Sequence, residues 1–233
     1  MRFSIRYSRI VLRMEILPTI LPTSSPGLIS PIDGVFQGGD RAGVIQRIDY
    51  LVDLGVDALY LNPIFKAPSN HRYNTGDFYQ IDPMLGSSQD FMALLDEAHK
   101  RGMYVVLEGV FNHCGRGFFA FTDIVENEQY SQYRDWFHIK RFPLDASSPG
   151  DAKNFLGWWK LKSLPKFNTS NPQLRAYILD VASYWIEQGI DGWRLDVPNE
   201  IDDDGFWAEF RQVVKHANPQ AYLFGEIWKV DPR

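Results

Sequence analysis

Apolar residues recur at helical spacing from Asp40 to about Leu54, with Val44, Ile45, Ile48, Leu51 and Val52 on one face. The spacing predicts a helix capped by Asp40 and ended by Gly55. The run Ala58-Leu59-Tyr60-Leu61 predicts a short buried strand, stopped by Asn62-Pro63. After a loop to about Gly86, Ser87 or Ser88 opens a second helix to Lys100, with Phe91, Leu94, Leu95 and Ala98 on one face and Gly102 closing it. Met103 to Leu107 reads as the next strand. Asn171-Pro172 is a capping residue followed by proline, and starts a helix carrying Leu174, Ile178, Val181, Trp185 and Ile186 that ends near Gly189. Gly192 to Val197 is a strand, Asp203 to Ala217 a helix and Tyr222 to Ile227 a strand. Repeated strand-helix units imply a parallel sheet with right-handed crossovers. A (β/α)8 barrel of the TIM type fits best. A doubly wound sheet comes second, and no glycine-rich phosphate fingerprint follows any strand to favour it.

The rhythm divides the chain. Residues 31–113 and 171–233 carry the barrel pattern. Residues 114–170 break it, being aromatic and irregular with Pro143, Pro149 and Pro165, and read as a small inserted subdomain. Residues 1–30 fit neither pattern. Arg2, Arg6 and Arg9 precede a partly apolar stretch as in a signal peptide, but Arg13 and Glu15 interrupt it.

Composition narrows the function. The chain has 233 residues, 45% of them hydrophobic, enough for a sizeable core. A net charge of −5 argues against a nucleic-acid partner. No stretch approaches the roughly 18–20 apolar residues of a spanning helix. The single cysteine, Cys114, excludes an internal disulfide framework. Aromatic residues reach 15%, which suits clefts for sugars as well as an ordinary core.

In such barrels the working residues sit at the C-terminal ends of the strands. Those ends lead here to His71-Arg-Tyr-Asn-Thr-Gly-Asp77, Glu108-Gly-Val-Phe-Asn-His113, Arg194-Leu-Asp196 and Gly225-Glu-Ile-Trp228. Arg194 and Asp196 alternate along a strand and share a face. Arg194 is expected to keep Asp196 ionised, as a nucleophile requires, and the apolar neighbours Phe224 and Trp228 to keep Glu226 protonated, as a general acid requires. Two carboxyl groups in opposite states form the pair that glycoside hydrolysis needs. Taken singly, an Arg-x-Asp pair is more often a structural ion pair, His113 a core histidine and Tyr73 a packing residue. Their joint occurrence at consecutive strand ends is what points to chemistry.

These motifs resemble the α-amylase family of glycoside hydrolases, in particular its neopullulanase, cyclomaltodextrinase and maltogenic amylase branch. The resemblance covers about residues 34–230. The blocks at Glu108–His113, Gly192–Glu200 and Leu223–Trp228 resemble those ending the family's third, fourth and fifth strands. Leu164-Pro-Lys-Phe-Asn168 resembles the short block that marks this branch, and His71–Asp77 the loop that supplies a stacking tyrosine. The resemblance implies that Asp196 is the nucleophile and Glu226 the acid/base of a retaining mechanism. It implies that Arg194 orients Asp196, that His113 and Tyr73 hold the sugar, and that Asn199 and Glu200 line the acceptor side. The implied substrates are α-1,4-glucans: maltodextrin, cyclodextrin or pullulan. The expected setting is cytoplasmic, with no membrane partner and with the oligomeric state left open.

The sequence also departs from the family. Glu108 stands where Asp is usual, Asn74 where the branch has Asp, Gly76 where it has Ala, Pro198 where Ala is usual, and Lys229 where the branch often has His. The barrel is expected to stop after the fifth strand, without the family's fourth block. The alternative function is therefore an inactive fragment, at most a weak sugar-binding module. Residues 1–30 are expected to be the product of a one-nucleotide frame shift. With permitted codons the neighbouring frame reads VFYQIFPDRFANGDPANNPANFKPWADKP, which resembles the first strand and the calcium-binding loop of this branch. No metal ligand is assigned within the chain as given, and calcium belongs to the complete family enzyme.

Overall fold

The structure, a computed structural model, describes residues 10–14 and 40–228. In chain order the elements are β1 (Ile10–Met14), α1 (Arg41–Gln46), α2 (Ile48–Asp53), β2 (Val56–Leu61), β3 (Phe65–Lys66), β4 (Asp77–Ile81), α3 (Ser88–Lys100), β5 (Tyr104–Gly109), α4 (Phe119–Asn127), α5 (Pro172–Glu187), β6 (Gly192–Leu195), α6 (Asp204–Ala217) and β7 (Tyr222–Gly225). The main sheet has the order β1-β2-β5-β6-β7, and every neighbouring pair is parallel. A doubly wound sheet reverses its strand order at a switch point. Here each strand is added on the same side as the last, as in successive staves of a (β/α)8 barrel.

The caps at Asp40, Ser87 and Asn171 form where the sequence placed them, and Asp203, expected as the first residue of its helix, is a cap instead. Asp40 Oδ1 accepts the Gly43 N–H at 2.8 Å. Ser87 and Asp90 form a reciprocal capping box. Asn171 caps α5 ahead of Pro172, and Asp203 caps α6 through the Phe206 N–H. The helix predicted from Asp40 to Leu54 is instead two short helices. Arg47 leaves helical geometry (φ −113°, ψ 6°), and its N–H turns back to the Val44 carbonyl at 3.0 Å. Val44, Ile48 and Leu51 stay buried across the break, so the apolar stripe survives it.

Four elements lie where the sequence predicted none: β1, which pairs in parallel with β2 although residues 1–30 fitted no barrel pattern, then β3, β4 and α4. The loop after β2 holds the small antiparallel pair β3–β4. The segment 114–170 contains α4, whose N-cap residue Phe118 offers no side-chain cap. The rest of that segment is tied by single bridges, His113 with Lys166, Phe137 with Phe167, Ile139 with Phe155 and Gly157 with Pro165. Its core is aromatic: Phe118, Phe121, Phe137, Phe155 and Phe167 are all buried, each contributing about 2 kcal/mol of apolar burial. Phe78 joins this cluster to the sheet core through Phe111, and Phe111 packs edge-on against Trp193. The indoles of Trp185 and Trp193 donate to the Phe78 and Ala182 carbonyls, which removes the penalty of burying them. Cys114 is buried at the junction of β5 and the inserted segment, where its N–H donates to the Pro165 carbonyl at 3.1 Å. Among the described residues no helix is long and apolar enough to cross a membrane.

Candidate active site

The register fixes which side chains meet at the strand ends. Glu108 of β5 lies opposite Arg194 of β6, and Leu195 lies opposite Gly225 of β7. The ladder runs one residue further: the Asp196 N–H donates to the Gly109 carbonyl at 3.0 Å and the Glu226 N–H to the Leu195 carbonyl at 2.9 Å. Asp196 and Glu226 therefore end adjacent strands. Beyond Asp196 the chain turns through Val197 in the left-handed region (φ 37°, ψ 53°), a costly conformation for a β-branched residue.

One guanidinium serves three carboxyl groups. Arg194 Nη1 lies against Glu108 Oε1 and 3.4 Å from Asp196 Oδ1, while Nη2 is 2.7 Å from Glu226 Oε1. The Tyr60 ring packs 5.9 Å from the same guanidinium carbon. Glu108 is 1% exposed and Asp196 5%, whereas the Glu226 side chain is 27% exposed. Burial lifts Glu108 to about 8, against the pull of Arg194. Burial also lifts Asp196 to about 7; Arg194 opposes this and Glu226 adds to it. Burial works to raise Glu226 too, but hydrogen bonds from Trp228 and Arg194 and the contact with Asp196 outweigh it, so that carboxyl is held below its ordinary value.

These charge preferences reverse the order expected from sequence, in which Arg194 ionised Asp196 and apolar neighbours protonated Glu226. The physical reasons are the burial of Asp196, which outweighs Arg194, and the hydrogen bonds that Trp228 and Arg194 give to Glu226. Arg194 is engaged more closely by Glu108 and Glu226 than by Asp196, and Asp196 Oδ2 is buried without a hydrogen-bond partner.

The other expected residues divide into two groups. His113 is fully buried, with Nδ1 3.2 Å from Asn112 Nδ2, and burial pushes it down to about 3, so it is neutral. The backbone of Tyr73 hydrogen-bonds to it, and the Tyr73 side chain acts electrostatically on Arg194. Tyr73, His113, Arg194, Asp196 and Glu226 are thus brought together. Asn199 and Glu200 lie exposed in the 3₁₀ turn after β6. Glu200 faces the inserted segment: its carbonyl accepts from Lys166 Nζ at 2.7 Å, with its carboxylate 3.8 Å from the same ammonium.

Sequence reasoning missed an aromatic array. His113 stacks on Trp158, Trp158 on Trp159 at 4.5 Å, and Trp159 lies 5.8 Å from Trp228. Trp159 and Trp228 are each 63% exposed, and exposed indole faces suit the C–H faces of sugar rings. The Trp-Trp pair just ahead of the Leu164–Asn168 block was the available signal. Buried polar atoms without partners also collect on these residues: Glu108 Oε2, Asn112 Oδ1, Trp158 Nε1 and Asp196 Oδ2. Such orphaned groups ask for a ligand that hydrogen-bonds. Among the described residues no group of three or more His, Cys, Asp or Glu is gathered as for a metal ion.

Comparison with known proteins places these features. Residues 16–233 match the catalytic domain of alpha amylase. Neopullulanase 2 of Thermoactinomyces vulgaris is 50% identical over 193 residues, covering 83% of this chain and 32% of that protein. A cyclomaltodextrinase of Geobacillus thermopakistaniensis is 46% identical over 214 residues, covering 91% and 36%. The crystal structure of a debranching enzyme from Nostoc punctiforme superposes with a TM-score of 0.81 at 50% identity, over 84% of this chain and 40% of that one. The chain spans about a third of the length of the curated relatives it matches.

Proposed function

The chain belongs to the α-amylase family, and from that premise we propose that it serves as a retaining glycoside hydrolase on α-1,4-linked glucans such as maltodextrin, cyclodextrin and pullulan. The observation that carries the proposal is the placement of Asp196 and Glu226 at the ends of adjacent strands, bridged by Arg194.

In this mechanism an Asp196 carboxylate oxygen attacks the anomeric carbon. The bond to the leaving glycosidic oxygen breaks as Glu226 gives that oxygen its proton. Water then loses a proton to Glu226 and attacks the same carbon, which frees Asp196. The mechanism requires Asp196 ionised and Glu226 protonated once substrate is bound, the reverse of their preferences in the empty site. Arg194 orients Asp196, neutral His113 and Tyr73 hold the sugar, and Asn199 and Glu200 line the acceptor side. The proposed setting is the cytoplasm, where the lone Cys114 stays reduced. Calcium, which the resemblance attaches to a loop within residues 1–30, falls outside the described residues and enters no step above.

Turnover of a chromogenic maltoside or of β-cyclodextrin tests the proposal, with Asp196→Asn expected to abolish it. Turnover that survives Asp196→Asn would refute the assignment. A chain that binds maltoside without turnover would have the second function, a sugar-binding module, which the exposed Trp159–Trp228 pair favours.

A further inference from the structure

The turn after β6 carries Asn199 and Glu200, yet little inside it fixes its shape. Pro198–Glu200 form a single 3₁₀ turn with no buried side chain of its own. Its internal bonds run from the Glu200 N–H to the Val197 carbonyl at 2.9 Å and from the Ile201 N–H to the Pro198 carbonyl at 3.1 Å. Val197, which leads into it, sits in the left-handed region. A strained backbone of this kind persists only where its surroundings hold it.

Trp207 of α6 supplies that hold. Its indole Nε1 lies 3.2 Å from the Pro198 carbonyl oxygen and 3.2 Å from that of Ile201. One N–H thus bridges the carbonyls on either side of Asn199-Glu200, and Lys166 Nζ takes the Glu200 carbonyl between them. Trp207 is itself fixed, edge-on to Phe206 at 4.8 Å and to Phe210 at 5.6 Å. Its helix is capped by Asp203 and tied to α5 through Arg175, which pairs with Asp203 and Glu209 and donates to the Thr169 carbonyl.

We propose that Trp207 is a positioning residue for the acceptor sugar, which acts by clamping the turn that presents Asn199 and Glu200. Its donor is spent on two backbone carbonyls, so it acts through the turn. The proposal rests on the reading of Asn199 and Glu200 as the acceptor side. In the second half of the retaining reaction an incoming hydroxyl gives its proton to Glu226, its oxygen bonds to the anomeric carbon, and the bond from that carbon to Asp196 breaks. Water needs no platform for this step, whereas a sugar must be held with one hydroxyl in line. A loosened turn therefore penalises transfer to sugar more than hydrolysis.

Trp207→Phe removes the indole N–H and keeps a ring beside Phe206 and Phe210. Relaxation of ¹⁵N in the 233-residue chain reads the result without turnover. The Asn199 and Glu200 amides are expected at order parameters of about 0.85 in the parent chain and below about 0.6 in the variant, with the β6 amides unchanged. Amides at these two positions that stay as ordered as in the parent overturn the proposal. So does a loosening that spreads equally through β6 and α6, which would mark Trp207 as a packing residue only. If Trp207→Phe does not fold, benzothienylalanine at position 207, which keeps the bicyclic shape without the donor, decides by the same readout. Where turnover is present, the maltose concentration for half-maximal transfer is expected to rise about three- to tenfold, as for one lost hydrogen bond, while kcat for hydrolysis of a chromogenic maltoside holds. An unchanged ratio of transfer to hydrolysis overturns the proposal. A loosened turn in a chain without turnover would refute the hydrolase proposal and leave the clamp intact.

Discussion

His113 lies flat against Trp158, with ring centroids 4.9 Å apart and planes 8° from parallel. His113 follows the end of β5 and Trp158 belongs to the inserted segment, so the stack fastens one to the other. Trp158→Ala is expected to cost about 2–4 kcal/mol of stability. Trp158→Phe keeps a ring face and is expected to cost less than half of that. The urea midpoint of each variant, at constant m value, checks both.

The carboxyl pair at the strand ends gives stability a defined pH dependence. Glu108 and Asp196 titrate near 8 and 7 in the folded chain, against roughly 4 when unfolded. Between those values the folded state binds more protons than the unfolded one. Stability contributed by these groups is therefore full below about pH 4, is lost as pH rises, and is gone above about 8. His113 has the opposite sign. Its folded value near 3 means that its contribution is lost as pH falls below about 6.5. Urea midpoints from pH 4 to 9 are expected to show Glu108→Gln gaining on the parent chain as pH rises. A constant gap between the two would refute the coupling.

Pro198 covers Gly225, and a Cβ at position 225 would lie 2.6 Å from the proline Cγ. Gly225→Ala is expected to destabilise by about 1–3 kcal/mol through overpacking. In a Pro198→Ala background most of that cost should vanish, because the two residues share the same space. A double-mutant cycle by denaturation measures the coupling.

The DNA encoding residues 1–31 is expected to differ from its reading here by a one-base slip. Sequencing that stretch checks it. A frame that runs unbroken through both ends of the segment would refute the shifted reading.

Most of the barrel was legible because four of its helices announce themselves twice, by an apolar stripe and by a cap. Asp40, Ser87, Asn171 and Asp203 all cap as their types require. The β3–β4 pair was not legible, since a two-residue strand has no period to detect. Helix α4 was hidden for the converse reason: Phe118 to Phe121 read as aromatic clutter with no capping side chain. At the site, the alternation of Arg194 and Asp196 correctly put both on one face. What sequence spacing could not reveal was the cross-strand neighbour. Glu108 is 86 positions from Arg194, and only the register of β5 against β6 shows that it takes the cation first. Nor does spacing show burial, which lifts the enclosed Asp196 while hydrogen bonds from Trp228 and Arg194 hold the more exposed Glu226 down.

Cys114 turns the joint between sheet and insertion into a clock. Its thiol is wholly enclosed, and burial raises it well above its ordinary value, so a thiol-reactive dye finds no thiolate to attack while the joint is closed. Because the chain has a single cysteine, the rate at which dye is taken up counts openings of this one place. Loosening the Trp158 stack should quicken that rate, whereas substitutions at Tyr222 on the exposed outer strand should leave it unchanged.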